Sequence, residues 1–133
     1  MPSAPPDPCP GPAQLAWLGD AVWELHQRQH LVRQMASPRR LHNAGVARVR
    51  AEAQSLALER LEPLLREEER EWVRRGRNAA GRRPRHLNPA IYGRASGFET
   101  MVGWLHLHDP ERLNELLSCL DPAVAADRPD SPF

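Results

Sequence analysis

An all-α domain is what this sequence predicts, on three observations. Apolar residues recur at three- and four-residue spacing in five successive segments. No segment alternates apolar and polar residues as a half-buried strand does. Ser37-Pro38 and Asp109-Pro110 each pair a capping side chain with a proline suited to the first helical position.

The first helix is expected from residue 12 to 32, with Leu15, Leu18, Val22, Leu25 and Val32 at helical spacing. Ala16, Trp17, Ala21 and Trp23 widen its stripe, so it is expected to be largely buried. Ser37-Pro38 opens a second helix, continued by Leu41, Ala44, Val46, Val49, Ala53, Leu56 and Leu58. Pro63 starts a third, with Leu64, Leu65, Trp72 and Val73 apolar and Glu67, Glu68, Glu69 and Glu71 early, where the helix dipole favours acids. It is expected to end at Gly76. Asn78 to Pro89 mixes Gly81, Pro84 and Asn88 with basic residues and reads as an exposed loop. A fourth helix begins near Pro89 or Ala90 and carries Ile91, Phe98, Met101, Val102, Leu105 and Leu107. The fifth runs from Glu111 to Leu120, with Leu113, Leu116, Leu117 and Leu120 inward.

At 133 residues the chain suits one domain, here 12–120, between a proline-rich arm 1–11 and a proline-rich tail 121–133, both expected to be disordered. No apolar run reaches the roughly 18 residues of a membrane span, and Met1 to Gly11 has no secretory pattern. A cytoplasmic protein is the expectation. Cys9 and Cys119 lie near opposite ends, and His26, His30, His42, His86, His106 and His108 are mostly scattered, which argues against a disulfide framework or a zinc site.

The net charge is only +1. Its distribution is uneven: from Arg70 to Arg94 eight arginines stand against one acid, Glu71. Such a cluster binds phosphate even when the whole chain is near neutral, although a solvated charged loop has the same composition.

Two acids stand out. Asp20 sits in LAWLGDAVWEL and Glu99 in SGFETMVGWLHL, each in an apolar helix where a lone carboxylate is costly to bury. A shared cation or wet cleft would compensate both, and magnesium, which takes oxygen ligands and needs only one or two carboxylates, is the natural ion. Spacing alone leaves open that each acid caps a turn or pairs with an arginine. Gly19 and Gly103 interrupt the same helices at up to about 1 kcal/mol relative to alanine, which points to close helix packing.

LAWLGDAVWELHQRQHLV resembles the LGDA helix of the ribonuclease III family, specifically its reduced bacterial branch, Mini-ribonuclease III. LHNAGVARVRAEAQS, RRGRNA and IYGRASGFETMVGWLHL follow in order, so the similarity covers about Gln14 to Leu120. The resemblance implies an all-α endonuclease domain of about five to seven helices, without a separate double-stranded RNA-binding domain. It implies a homodimer that cuts double-stranded RNA, maturing the ends of large-subunit (23S) ribosomal RNA precursors and leaving 5′-phosphate and 3′-hydroxyl ends. Asp20 then matches the motif aspartate and Glu99 the second acidic helix, as catalytic residues and ligands of Mg2+, for which Mn2+ would substitute. At the positions where larger members carry further acids this chain has Ala16, Pro38 and Ser96, so free-protein metal affinity is expected to be weak.

Under the same resemblance Arg74, Arg75, Arg77 and Asn78 of the RRGRN turn, Arg82, Arg83 and Arg85 of the loop, and Arg94 become RNA contacts. A duplex offers phosphates and 2′-hydroxyls across a shallow minor groove, which suits an arginine loop. Glu24, one turn from Asp20, either orients water or pairs with Arg28, and the pairing is preferred. Trp17, Trp23, Trp72 and Trp104 read as packing, with Trp17 and Trp23 candidate dimer contacts. The missing acids leave a second reading, a catalytically silent RNA-binding or ribosome-assembly module on the same fold.

Overall fold

The computed structural model describes residues 10–33, 38, 50–81 and 88–121, and every regular element among them is helical. Helix α1 spans Pro12–Arg33, α2 Arg50–Leu61, α3 Glu67–Ala79, α4 Pro89–His108 and α5 Pro110–Ser118, with a 3-10 turn at Glu62–Leu64 between α2 and α3. Ser37 and the apolar positions Leu41 to Val49 of the expected second helix lie outside the described residues, as do Arg82, Arg83 and Arg85.

Helix starts follow local chemistry. Asn88 accepts hydrogen bonds from the Ala90 and Ile91 N–H groups at 2.8 and 3.4 Å, with Pro89 in the first turn of α4. Asp109 does the same for α5, accepting from the Arg112 N–H at 3.2 Å ahead of Pro110. At α3 the Arg66 N–H donates to Glu69 Oε1 at 2.7 Å, a glutamate reaching back over the first turn.

α4 is the axis of the fold. It packs against all four other helices, and Phe98, Met101 and Val102 expose no surface. Trp23 of α1 meets Phe98 edge-on, with ring centroids 5.1 Å apart, and Leu58, Leu61, Leu113 and Leu116 complete the core. Each fully buried large apolar side chain contributes on the order of 1.5–3 kcal/mol.

A second tie joins α3 to α5. The guanidinium of Arg112 donates to both oxygens of the buried Glu69, at 2.8 and 3.0 Å, and to the Leu64 carbonyl at 2.7 Å. Burial alone would raise the Glu69 carboxyl, but the bonds from Arg112 and the Arg66 N–H outweigh it and hold the group below its usual range.

Three expectations about helix faces need correction. α1 is not largely buried: Leu15, Gly19 and Trp23 are its buried residues, whereas Trp17, Leu25 and Val32 are exposed. α2 turns Ala51, Gln54, Ser55, Leu58 and Leu61 inward and leaves Leu56 out, so its buried face is partly polar and apolar periodicity mis-phased it. α3 starts after the 3-10 turn and does not stop at Gly76 but runs to Ala79. Gly76 is a packing glycine, buried against Gly97 and Thr100.

Candidate active site and arginine groove

The site begins with two glycines. A β-carbon on Gly19 would fall on the main-chain oxygen of Glu99 and 2.9 Å from the Gly103 nitrogen. One on Gly103 would fall on the Leu15 carbonyl oxygen and 3.1 Å from the Gly19 nitrogen. α1 and α4 therefore touch backbone to backbone, as the glycines predicted. Asp20 follows Gly19 directly, so the two acids start from main chains in contact. Both side chains are half-buried.

α2 closes one side of this crossing with polar groups. Gln54, 2% exposed, donates its Nε2 to Asp20 Oδ1 at 3.3 Å. A carboxylate only accepts, so the amide nitrogen must face it. On the next residue, Ser55 Oγ accepts from Arg94 Nε at 2.8 Å. Arg94 lies five residues before Glu99, about 7.5 Å along α4. Neither Gln54 nor Ser55 was singled out from sequence; the available signal was a polar pair between the apolar residues Ala53 and Leu56. Arg28 donates to Glu24 at 2.8 Å, so the preferred pairing is present.

Among the described residues no group of three or more His, Cys, Asp or Glu is arranged to hold a metal ion. The donor set at the crossing is two carboxylates, from Asp20 and Glu99, supplying the hard oxygen that magnesium takes; two such groups with water and a phosphate meet its needs. The residues present fit that ion.

The arginines divide. Arg70, Arg74, Arg77 and Asn78 border a cavity of about 500 Å³ with Glu62, over a floor of Leu58, Leu65 and Val73. Leu58 is one turn from Gln54 on the same face of α2, so the groove adjoins the acid site. Arg70 is tied to the Leu65 and Glu62 carbonyls at 3.2 and 2.8 Å, and Arg74 Nε to Glu71 at 2.9 Å. Hydrogen bonds from Arg74 and Arg75 hold the Glu71 carboxyl down to about 2. Arg75 belongs elsewhere: its guanidinium sits 4.8 Å over the Trp72 ring, which stacks on Trp104 at 5.7 Å.

The Ribonuclease III domain pattern matches residues 13–110. Mini-ribonuclease 3 of Synechocystis is 48% identical over 120 residues, 88% of this chain and 82% of that protein. Mini-ribonuclease 3 of Gloeobacter violaceus is also 48% identical, covering 89% and 87%. The chain belongs to the Mini-ribonuclease III branch of the ribonuclease III family. Its activity is that of an endoribonuclease. A crystal structure of a Fusobacterium nucleatum protein superposes with a TM-score of 0.74 at 27% identity, covering 83% of this chain and 92% of that one.

Within this family frame, Ala16 and Ser96 are half-buried on α1 and α4 and Pro38 is exposed. None supplies a carboxylate. Trp23 is core, not interface, whereas Trp17 is 83% exposed and remains available for contact. No helix among the described residues is long and apolar enough to cross a membrane.

Proposed function

We propose that this chain is a cytoplasmic, magnesium-dependent homodimer that cleaves double-stranded RNA, maturing the ends of the 23S ribosomal RNA precursor. The observation that carries the reading is the backbone contact of Gly19 with Glu99 and Gly103, which supports a shared metal site for Asp20 and Glu99. Both acids act as ligands for Mg2+, with Mn2+ as a substitute. The bound ion would supply water activation and neutralise charge building on the scissile phosphate, to give 5′-phosphate and 3′-hydroxyl ends.

Arg77, Asn78 and Arg74 hold the duplex backbone along the groove, Arg94 holds the scissile strand beside Glu99, and Arg82, Arg83 and Arg85, which follow in sequence, extend the contact. Arg75 is the weakest member of the set, because its guanidinium lies over Trp72 and does not border the groove. The exposed stripe of Trp17, Leu25 and Val32 on α1 supports a dimer face.

The test is cleavage of a pre-23S stem with Mg2+ by the parent beside Asp20→Asn and Glu99→Gln. Cutting by the parent and none by either variant, with RNA binding retained, is expected. Uncut RNA with the parent overturns the reading in favour of a silent RNA-binding module, and full activity in a variant removes that residue from the site. Light scattering should give twice 15.0 kDa for the parent, and Trp17→Arg should shift it toward the monomer.

A further inference from the structure

α2 reaches toward both halves of the proposed site from two consecutive residues. Gln54 and Ser55 are 2% and 5% exposed, on a helix whose other buried residues are Ala51, Ala57, Leu58 and Leu61. Apolar side chains would fill both positions without the penalty of burying polar atoms, so the two polar residues call for a role beyond packing. Neighbours on a helix point about 100° apart, and here one points to α1 and the other to α4. Gln54 donates to Asp20 at 3.3 Å, and Ser55 accepts from Arg94 at 2.8 Å.

We infer that Gln54 and Ser55 are paired positioning residues. Gln54 fixes the Asp20 carboxylate for the metal, and Ser55 fixes the plane of the Arg94 guanidinium for the RNA phosphate. This rests on the two-carboxylate reading above. The chemistry of each bond sets its job. An amide N–H on Oδ1 restricts rotation of the carboxylate while leaving acceptor capacity, since an ionised carboxylate has about four lone-pair sites. A guanidinium is planar with five N–H donors in a fixed fork, so anchoring Nε on Ser55 sets the direction of both Nη groups, the edge that grips a phosphate bidentately. Among the described residues that serine bond is the one hydrogen bond made by the Arg94 side chain. Because both anchors sit on one rigid turn of α2, carboxylate and guanidinium are held in register with each other.

The experiment uses the full chain with Gln54→Met and Ser55→Ala, and three readouts: Mn2+ binding without RNA, duplex-stem binding in EDTA, and kcat and KM for cleavage in Mg2+. Gln54→Met should weaken Mn2+ binding and lower kcat ten- to a hundredfold, the scale seen when a partner of a metal ligand is removed, with RNA binding unchanged. Ser55→Ala should raise the stem Kd and KM several-fold with Mn2+ binding unchanged, and Ser55→Thr, which keeps the hydroxyl, should restore the parent values. Parent-like values in both variants, or equal loss of metal and RNA binding in each, overturn the inference. If Gln54→Met loses the parent's helical circular dichroism, Gln54→Asn, an amide one methylene too short, carries the same expectation. A parent that does not cleave sinks the proposed function, while the two binding measurements still judge the positioning pair.

Discussion

Gly103 meets Gly19 and Gly97 meets Gly76, so α4 is approached through glycine from two sides. The crossing with α1 is backbone on backbone: the atoms that a Gly19 β-carbon would strike are the Glu99 carbonyl and the Gly103 nitrogen. The crossing with α3 is softer on one side, since a Gly76 β-carbon would first strike the Thr100 side chain, with the Gly97 Cα at 2.9 Å. The first crossing brings together the main chains that carry the two acids, whereas the second sets Arg77 and Asn78, which directly follow Gly76, over the groove. Carboxylates that share an ion, as proposed for Asp20 and Glu99, tolerate little displacement. Arginines on a flexible stem accommodate more.

Gly19→Ala should therefore have the largest effect. On an exposed helix this change gains up to about 1 kcal/mol in propensity, but here a methyl group meets main chain that has nowhere to move. Overpacking of this kind typically costs about 1–3 kcal/mol and here should exceed it, with cleavage falling below detection. Denaturant unfolding and cleavage rates measure both. A loss under about 1 kcal/mol would show that α1 slides easily and would remove the distinction between the crossings.

Arg112→Met comes next, because α3 is also tied to α5 through the Arg112–Glu69 pair. Removing one member of a buried pair leaves Glu69 uncompensated and costs about 3–5 kcal/mol; with the Arg112 side chain 13% exposed, the low end is expected. The pH dependence has a definite sign. Glu69 is held below its unfolded value, so its contribution is present at neutral pH and is lost as pH falls from about 4.5 through the lower folded value. Acid unfolding of the parent should steepen below pH 4.5, and Arg112→Met should lose that steepening. Identical acid profiles would remove Glu69 as the source.

Gly76→Ala should cost less than Gly19→Ala, about 1–3 kcal/mol, and should lower RNA affinity before cleavage by an intact site is lost. Equal losses at Gly19 and Gly76 would mean that Thr100 is as unyielding as main chain.

The α1 crossing was legible from sequence because its parts are paradoxes there: a glycine and an acid within one apolar helix, twice. The fold class, the starts of α4 and α5 and the Glu24–Arg28 pair were legible from local chemistry. The α3 crossing was not, since a glycine after RR looks the same whether it stops a helix or lets another pass, and only the location of Gly97 decides. The inward face of α2 was hidden for the opposite reason. Its buried positions include Gln54 and Ser55, so apolar periodicity followed Ala53 and Leu56 and rotated the helix away from the site. Trp23 and Trp17, six residues apart, look equivalent in sequence; packing against Phe98 makes one core while the other faces out.

The smallest effect concerns which arginines serve the groove. Arg77 borders it and Arg75 lies over Trp72, although sequence places both in one basic run. Losing a phosphate contact lowers the salt dependence of binding by close to one unit on a log-log plot. Arg77→Ala should therefore weaken stem binding several-fold and flatten that slope by about one unit. Arg75→Ala should leave the slope near the parent's and instead lose about 0.5–1 kcal/mol of stability from the exposed cation-π contact. Equal slopes for the two variants would place Arg75 on the RNA after all, and the division of the cluster by α3 would fail with it.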